Sequence, residues 1–75
     1  MEYAYDKVTD TLYLHFSDEN PAKIDEIFDG IIINYSKKKS IVAIEILNFS
    51  KRSFDLNKLI EMSAEEIISL IEQYQ

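Results

Sequence analysis

The chain of 75 residues has no cysteine and only one each of histidine, proline and glycine. Without cysteine, neither disulfide bonds nor thiolate metal sites can stabilise the fold. A domain of this length buries only about 60% of the surface that its unfolded chain exposes, so its core is thin. Association with another chain is then the natural source of further stability, and we predict a homodimer.

We also expect no targeting or membrane segment. No apolar stretch approaches the roughly 18 residues of a transmembrane helix. The first residues have neither the basic start nor the apolar run of a signal peptide. We therefore expect a cytoplasmic protein that makes no membrane contact.

Positive charge is scarce in the first half of the chain. Residues 1–36 hold eight acidic side chains against two lysines, whereas residues 37–75 hold six of each sign. Lys37–Lys39 form the main basic run, and no aromatic residue lies among them to stack on a base. Since phosphate neutralisation supplies most non-specific nucleic-acid affinity, we expect no nucleic-acid partner. A small basic protein is the partner that the charge favours.

The first 49 residues alternate apolar and polar side chains with the period of two that is typical of strands. This pattern predicts five antiparallel strands at 2–5, 11–16, 22–28, 31–35 and 41–47. Asp29-Gly30 between apolar flanks favours a two-residue type I′ turn. That turn places Phe28 and Ile24 on the core side of the sheet and Ile27 on the other. The pairs that define the register are Tyr5 with Leu12, Phe28 with Ile31, and Tyr35 with Val42.

After residue 49 the apolar period changes to that of a helix. Ser63 and Glu66 match a capping box, so a helix is expected to start there. Its apolar stripe consists of Ile67, Leu70, Ile71 and Tyr74. The predicted fold is α+β: a five-stranded antiparallel β-meander over 1–49, then one or two C-terminal helices over 50–75 packed on one sheet face, together a single domain.

Asp6 and Asp10 bracket the first turn, where aspartates commonly bond nearby backbone. A metal or small ligand held by oxygen ligands there is the competing interpretation. That alternative uses Asp6, Asp10, Tyr13, His15 and Glu45. Turn chemistry is favoured, because the residues between the two aspartates provide neither alternating oxygen ligands nor a glycine. We therefore predict no metal and no cofactor.

His15 is the single histidine, and the predicted register puts it on the face opposite the core with Glu2 across from it. A histidine base needs an orienting carboxylate and a nucleophile within hydrogen-bond reach, and no spacing in the sequence identifies such a set. We predict no catalytic residues and a protein that is not an enzyme.

The second face of the predicted sheet mixes apolar residues with carboxylates. A partly exposed sheet face is the plain interpretation, since much of a small protein's surface is apolar. An apolar patch rimmed by charge is nevertheless typical of interaction sites. The candidate interface consists of Tyr13, His15, Ile27, Ile32, Ala43, Glu45 and Leu47.

Three segments, YDKVTDTLYLHFSD, DGIIINY and IVAIEILNFSKR, resemble a widespread prokaryotic family of domains of unknown function. The positions that carry the resemblance are Tyr5, Asp6, Asp10, Leu12, Tyr13, Ser17, Asp29, Gly30, Tyr35, Glu45, Asn48 and Ser50. It implies a β-meander with a C-terminal helix and no established catalysis or cofactor. Members are sometimes placed beside small basic toxin-like proteins, which would make this chain an antitoxin-like partner.

Two hypotheses follow from the sequence. The leading one is a non-enzymatic protein-interaction module, and the alternative is a small-ligand or metal-binding domain. Among the signature positions, Ser50 is expected to cap the turn into the helical segment. Glu45, a charge within the most apolar strand, is expected to bond Tyr13, His15 or a partner chain.

Overall fold

The computed structural model describes residues 1–73, which form five strands, a 3₁₀ turn and two helices. The strands are β1 (Glu2–Asp6), β2 (Thr11–His15), β3 (Lys23–Ile27), β4 (Ile31–Tyr35) and β5 (Ile41–Ile46). The 3₁₀ turn is Phe49–Lys51, and the helices are α1 (Leu56–Leu59) and α2 (Ala64–Gln73). The predicted α+β class, with five antiparallel strands followed by helices, is confirmed.

The strands lie in the order β1-β2-β5-β4-β3. A simple meander would keep the order of the sequence, but here the link after β2 crosses to the far edge and β5 returns to the centre. β5 contains Val42, Ile44 and Ile46, all buried. In the central position this apolar strand is hydrogen-bonded to a neighbour on each side. The strands β1 and β3, which carry charged residues, form the two edges of the sheet.

The first hairpin has the predicted register, with Tyr5 opposite Leu12. The predicted two-residue turn after β3 is wrong. Ile27 pairs with Ile31, and the loop holds three residues, of which Phe28 and Gly30 have positive φ. A shift of one residue exchanges the two faces of a strand. Ile27 therefore packs against the core.

The same shift turns Ile24 and Glu26 to the other face. Glu26 accepts a hydrogen bond from the Gly30 N–H at 2.9 Å, which helps to close the three-residue loop. On the core side, Asp25 and Ile27 thus take the places predicted for Glu26 and Ile24, and Asp25 lies 3.5 Å from Lys23 Nζ at this edge.

Between β4 and β5 the predicted register holds up to the pair of Asn34 with Ala43. A bulge at Asn34 and Tyr35 then pairs Tyr35 with Ile41 instead of the predicted Val42. Such a bulge bends the strand and redirects the side chains next to it.

The helices cover one face of the sheet, and α2 packs against β5. The core cluster consists of Leu12, Leu14, Ile31, Ile33, Ile44, Ile46, Leu59, Ala64, Ile67 and Ile71. The predicted capping box is present: the Glu66 N–H donates to Ser63 Oγ, and the Ser63 N–H donates to a Glu66 carboxylate oxygen. Tyr74 of the predicted stripe lies outside the described residues.

Tyr3 and Tyr5 point to the core side of β1, as predicted, but are 51% and 42% exposed. The reason is that α2 packs on the central strand and β1 is an edge strand.

A clamp formed by Arg52 ties the β3–β4 loop to the end of β5. Arg52 Nε donates to the Leu47 carbonyl at 2.6 Å, and Arg52 Nη2 donates to the Asp29 carbonyl at 2.8 Å. The Leu47 N–H in turn donates to the Gly30 carbonyl at 2.9 Å. Gly30 is buried with φ +87°, and a β-carbon there would clash with the Arg52 guanidinium.

The change Gly30→Ala should lower the free energy of unfolding by at least about 1–2 kcal/mol, because a side chain is unfavourable at positive φ. Urea denaturation monitored by circular dichroism measures this. The double variant Gly30→Ala/Arg52→Met should lose less than the sum of the two single changes, since it lacks the clash. An unchanged midpoint for Gly30→Ala would contradict this description of the loop.

Candidate functional site

The face of the sheet opposite the helices is the candidate site, and we call it the open face. Burial alternates along β5 and over residues 31–34 of β4, so that every second residue there is buried under the helices and the others are half-exposed. Within the described chain, the buried residues of α1 and α2 all belong to the core cluster on the other side. The open face includes ten strand residues that form its two middle rows: Glu2, Ala4, Tyr13, His15, Ile24, Glu26, Ile32, Asn34, Ala43 and Glu45.

The strand register arranges these side chains in two rows across the sheet. One row runs Ala4, Tyr13, Glu45, Ile32, Glu26, and the next runs Glu2, His15, Ala43, Asn34, Ile24. Three of these ten residues are glutamates, and none is lysine or arginine. The open face is therefore acidic, with its apolar residues between the carboxylates.

Glu45 lies in the middle of the first row, between its cross-strand partners Tyr13 and Ile32. It is half-buried, and its Oε2 accepts a hydrogen bond from Asn34 Nδ2 at 3.0 Å. The expected bond to Tyr13 or His15 is absent among residues 1–73, where Asn34 is its hydrogen-bond partner and no cation pairs with it. The charge at the centre of the open face is thus not neutralised within the described chain.

His15 lies at the end of the second row, opposite Glu2 as predicted. Its Nδ1 is 3.4 Å from a Glu2 carboxylate oxygen, and its Nε2 is 3.9 Å from Asp18. Both carboxylates are exposed to solvent. The imidazole thus lies between two acidic groups at one corner of the face.

The other candidate interface residues divide between the two faces. Ile32 and Ala43 lie on the open face, whereas Ile27 lies on the core side because of the three-residue loop. Leu47 is half-buried beside Gly30. The sequence pattern missed Ile24, which is 65% exposed on the open face; only a three-residue loop would have assigned it there.

Asp6 closes the first turn as predicted, because its Oδ1 accepts the N–H groups of Val8 and Thr9 at 2.9 and 3.4 Å. Asp10 behaves differently from the prediction. It accepts the Tyr5 hydroxyl at 2.6 Å and the Ser50 hydroxyl at 2.7 Å. These partners are 5 and 40 residues away, so Asp10 joins the first hairpin to the 3₁₀ turn.

Ser50 therefore does not cap the helical segment, since both its N–H and its hydroxyl donate to Asp10. The Phe49 N–H also donates to the Asp10 carbonyl, at 2.9 Å. The Phe49 ring lies 6.1 Å from that of Tyr5, which completes the contact between the two segments. The pattern of residues gives no local signal for this contact, although Tyr5, Asp10 and Ser50 are all signature positions of the resemblance.

The five residues of the ligand-binding alternative are distributed along the sheet. Tyr13 and Glu45 are neighbours on the open face. Asp6 and Asp10 lie at the turn end of the first hairpin, and His15 lies about 16 Å along β2 from Asp10 at roughly 3.3 Å per residue. Within residues 1–73 no group of three His, Asp or Glu side chains is arranged to hold a metal ion.

A family model described as "Protein of unknown function (DUF2283)" matches residues 2–50. The chain belongs to this family. The DUF2283 match spans all five strands and ends inside the 3₁₀ turn, so the open face lies within it and α1 and α2 lie beyond it. No curated protein and no solved structure matches the chain significantly. No helix in the described part of the chain is long and apolar enough to cross a membrane.

The contact between Tyr5 and Asp10 predicts how stability depends on pH. Hydrogen bonds from Tyr5 and Ser50 hold the pKa of Asp10 below its ordinary value, so this stabilisation is lost as the pH falls below about 4. The bond to Asp10 raises the pKa of Tyr5, so this stabilisation is lost as the pH rises above about 10. Tyr5→Phe should lower stability at neutral pH and flatten both ends of the profile.

Urea midpoints measured from pH 2.5 to 11 test this. Tyr3→Phe is the matched control, because Tyr3 lies on the same strand and face and its hydroxyl makes no hydrogen bond within residues 1–73. Profiles of Tyr5→Phe and Tyr3→Phe that coincide would show that the Tyr5–Asp10 bond contributes nothing.

Proposed function

We propose that the chain is a non-enzymatic protein-interaction module, and that its open face binds a protein presenting basic side chains among apolar ones. The observation that carries the proposal is Glu45, a half-buried carboxylate at the centre of an uncovered sheet face with no cation beside it in the described chain. A charge in such a place is better stabilised when a partner supplies the opposite charge.

The surroundings of Glu45 favour an arginine or lysine from the partner. The Tyr13 ring, 40% exposed, and the Ile32 side chain flank the carboxylate. A guanidinium placed there would donate to the carboxylate and contact an aromatic ring, two interactions that reinforce each other once water is excluded. Ile24, 65% exposed, extends the apolar area at the β3 edge.

Charge complementarity selects the class of partner. The chain carries a net charge of −6, and the open face contributes three glutamates and no basic residue. Stacking two open faces would oppose like charges, which disfavours a second copy of the chain as the occupant. The homodimer stays a prediction, and a small basic protein, in an antitoxin-like pairing, is the occupant to which the proposal commits.

The change Glu45→Gln should weaken binding of the basic partner at least about tenfold, because it removes the charge and keeps the shape and an acceptor for Asn34. Ile32→Lys should abolish binding by placing a repelling charge in the apolar area. The tagged chain retrieves the partner from an extract of the source organism, and titration calorimetry with the purified partner measures the affinity.

Glu72→Gln is the matched control, since it removes the same charge from an exposed position on α2. It should bind as the wild-type chain does, and high salt should weaken both. Recovery of the chain alone, with a dimer mass by light scattering that Ile32→Lys abolishes, would contradict the proposal and favour self-association. A basic partner that binds Glu45→Gln as tightly as the wild-type chain would also contradict it.

A further inference from the structure

A concave site lies on the opposite side of the sheet from the open face. It is a cavity of about 450 Å³ between the start of β3, the end of β4 and the β4–β5 loop. Its lining includes Lys23, Asp25, Tyr35, Lys37 and Lys39. Lys23 and Asp25 alternate with Ile24 along β3, so they lie on the same side as Ile27 and the helices. The cavity is thus independent of the proposed protein-binding surface.

The charge of this cavity is opposite to that of the rest of the protein. The chain has seven lysines and a net charge of −6, yet three of those lysines line one cavity. The single carboxylate in the lining, Asp25, is 3.5 Å from Lys23 Nζ and offsets that one charge. Lys37 and Lys39 then supply an excess of two positive charges, which concentrates a small anion there.

The β4–β5 loop that carries two of these lysines is held in one conformation by Ser36. Ser36 is buried, and its hydroxyl accepts the N–H groups of Lys38 and Ser40 at 3.2 and 3.3 Å. The Lys39 N–H donates to the Ser36 carbonyl at 2.9 Å. A loop fixed before binding loses less entropy when a ligand arrives.

The opposite wall is fixed as well. The Ala22 N–H donates to the Tyr35 carbonyl at 2.7 Å, which holds the segment before β3 against the end of β4. The bulge at Asn34 and Tyr35 falls at the cavity, and bulges often redirect a side chain beside a binding site.

Lys39 has φ +68°, a conformation that glycine adopts without strain and that other residues adopt rarely. The hairpin alone would accept glycine at this position. The lysine found there lines the cavity despite the less favourable backbone.

We propose that this cavity binds a small molecule that carries a phosphoryl group. The ammonium groups of Lys37 and Lys39 would hold the phosphoryl oxygens, as lysines commonly do, and Tyr35 would contact the apolar body of the ligand. An adjoining depression of about 260 Å³ shares Ala22, Ser36 and Lys37 with the cavity and gives that body room to extend.

The test uses phenyl phosphate, inorganic phosphate and phenol as probes, with amide chemical shifts of the full chain recorded by NMR. Phenyl phosphate should give saturable shifts at Ala22, Lys37 and Lys39, inorganic phosphate weaker ones at the same residues, and phenol none. Lys39→Gly should weaken phenyl phosphate binding at least about tenfold. Its urea midpoint should stay at or above that of the wild-type chain, because glycine relieves the positive φ.

Lys7→Gln is the matched control, since it removes one positive charge from an exposed turn at residues 7–10. Its affinity should stay within about twofold of the wild type, because salt screens distant surface charges. The proposal is overturned if neither phosphate compound gives saturable shifts at millimolar concentration. It is equally overturned if Lys7→Gln weakens binding as much as Lys39→Gly, which would indicate a response to overall charge only.

Discussion

The central position of β5 is the constraint on which the rest of the structure depends. Its residues alternate between two environments, so that Val42, Ile44 and Ile46 are buried while Ala43 and Glu45 lie half-exposed on the open face. Placing this strand between β2 and β4 pairs both of its edges and sends β1 and β3 to the outside. A sheet of five strands has two faces, and the two short helices of the described chain cover one of them. The open face is the sheet face that these two helices leave uncovered.

Two polar contacts lie at the end of the sheet where β5 terminates. Asp10 of the β1–β2 turn binds Ser50, and Arg52 binds the Asp29 and Leu47 carbonyls beside the β3–β4 loop. Both contacts use residues of the short segment between β5 and α1. This segment therefore holds the β1–β2 turn and the β3–β4 loop in place. The match to DUF2283 ends at residue 50 and includes Asp10, Ser50 and the whole open face. The helices α1 and α2, which cover the core, lie beyond the matched residues. The surface proposed to bind a partner and the helices that complete the core therefore belong to different parts of the sequence.

The sequence predicts the local features of this fold well, and its failures share one physical origin. The pairing of Tyr5 with Leu12 and the capping box at Ser63 depend on neighbouring residues, and both are confirmed. The three-residue loop at Gly30 and the role of Asp10 depend on Arg52 and Ser50, which are distant in the sequence. The strand order likewise depends on a comparison of all five strands, because the most apolar strand is the one most stabilised by a central position. The misplaced loop exchanged Ile24 and Ile27 between the faces, so the second face predicted from the sequence contained Ile27 where the structure has Ile24.

The central claim is that the open face is accessible to solvent in the isolated chain. Relaxation of methyl resonances by a soluble gadolinium chelate, measured by NMR, tests it most directly. The methyl groups of Ile24 and Ile32 should relax strongly, and those of Ile33 and Ile44 should be protected beneath the helices. If Ile32 is as well protected as Ile33, the open face is covered in solution and the account is contradicted.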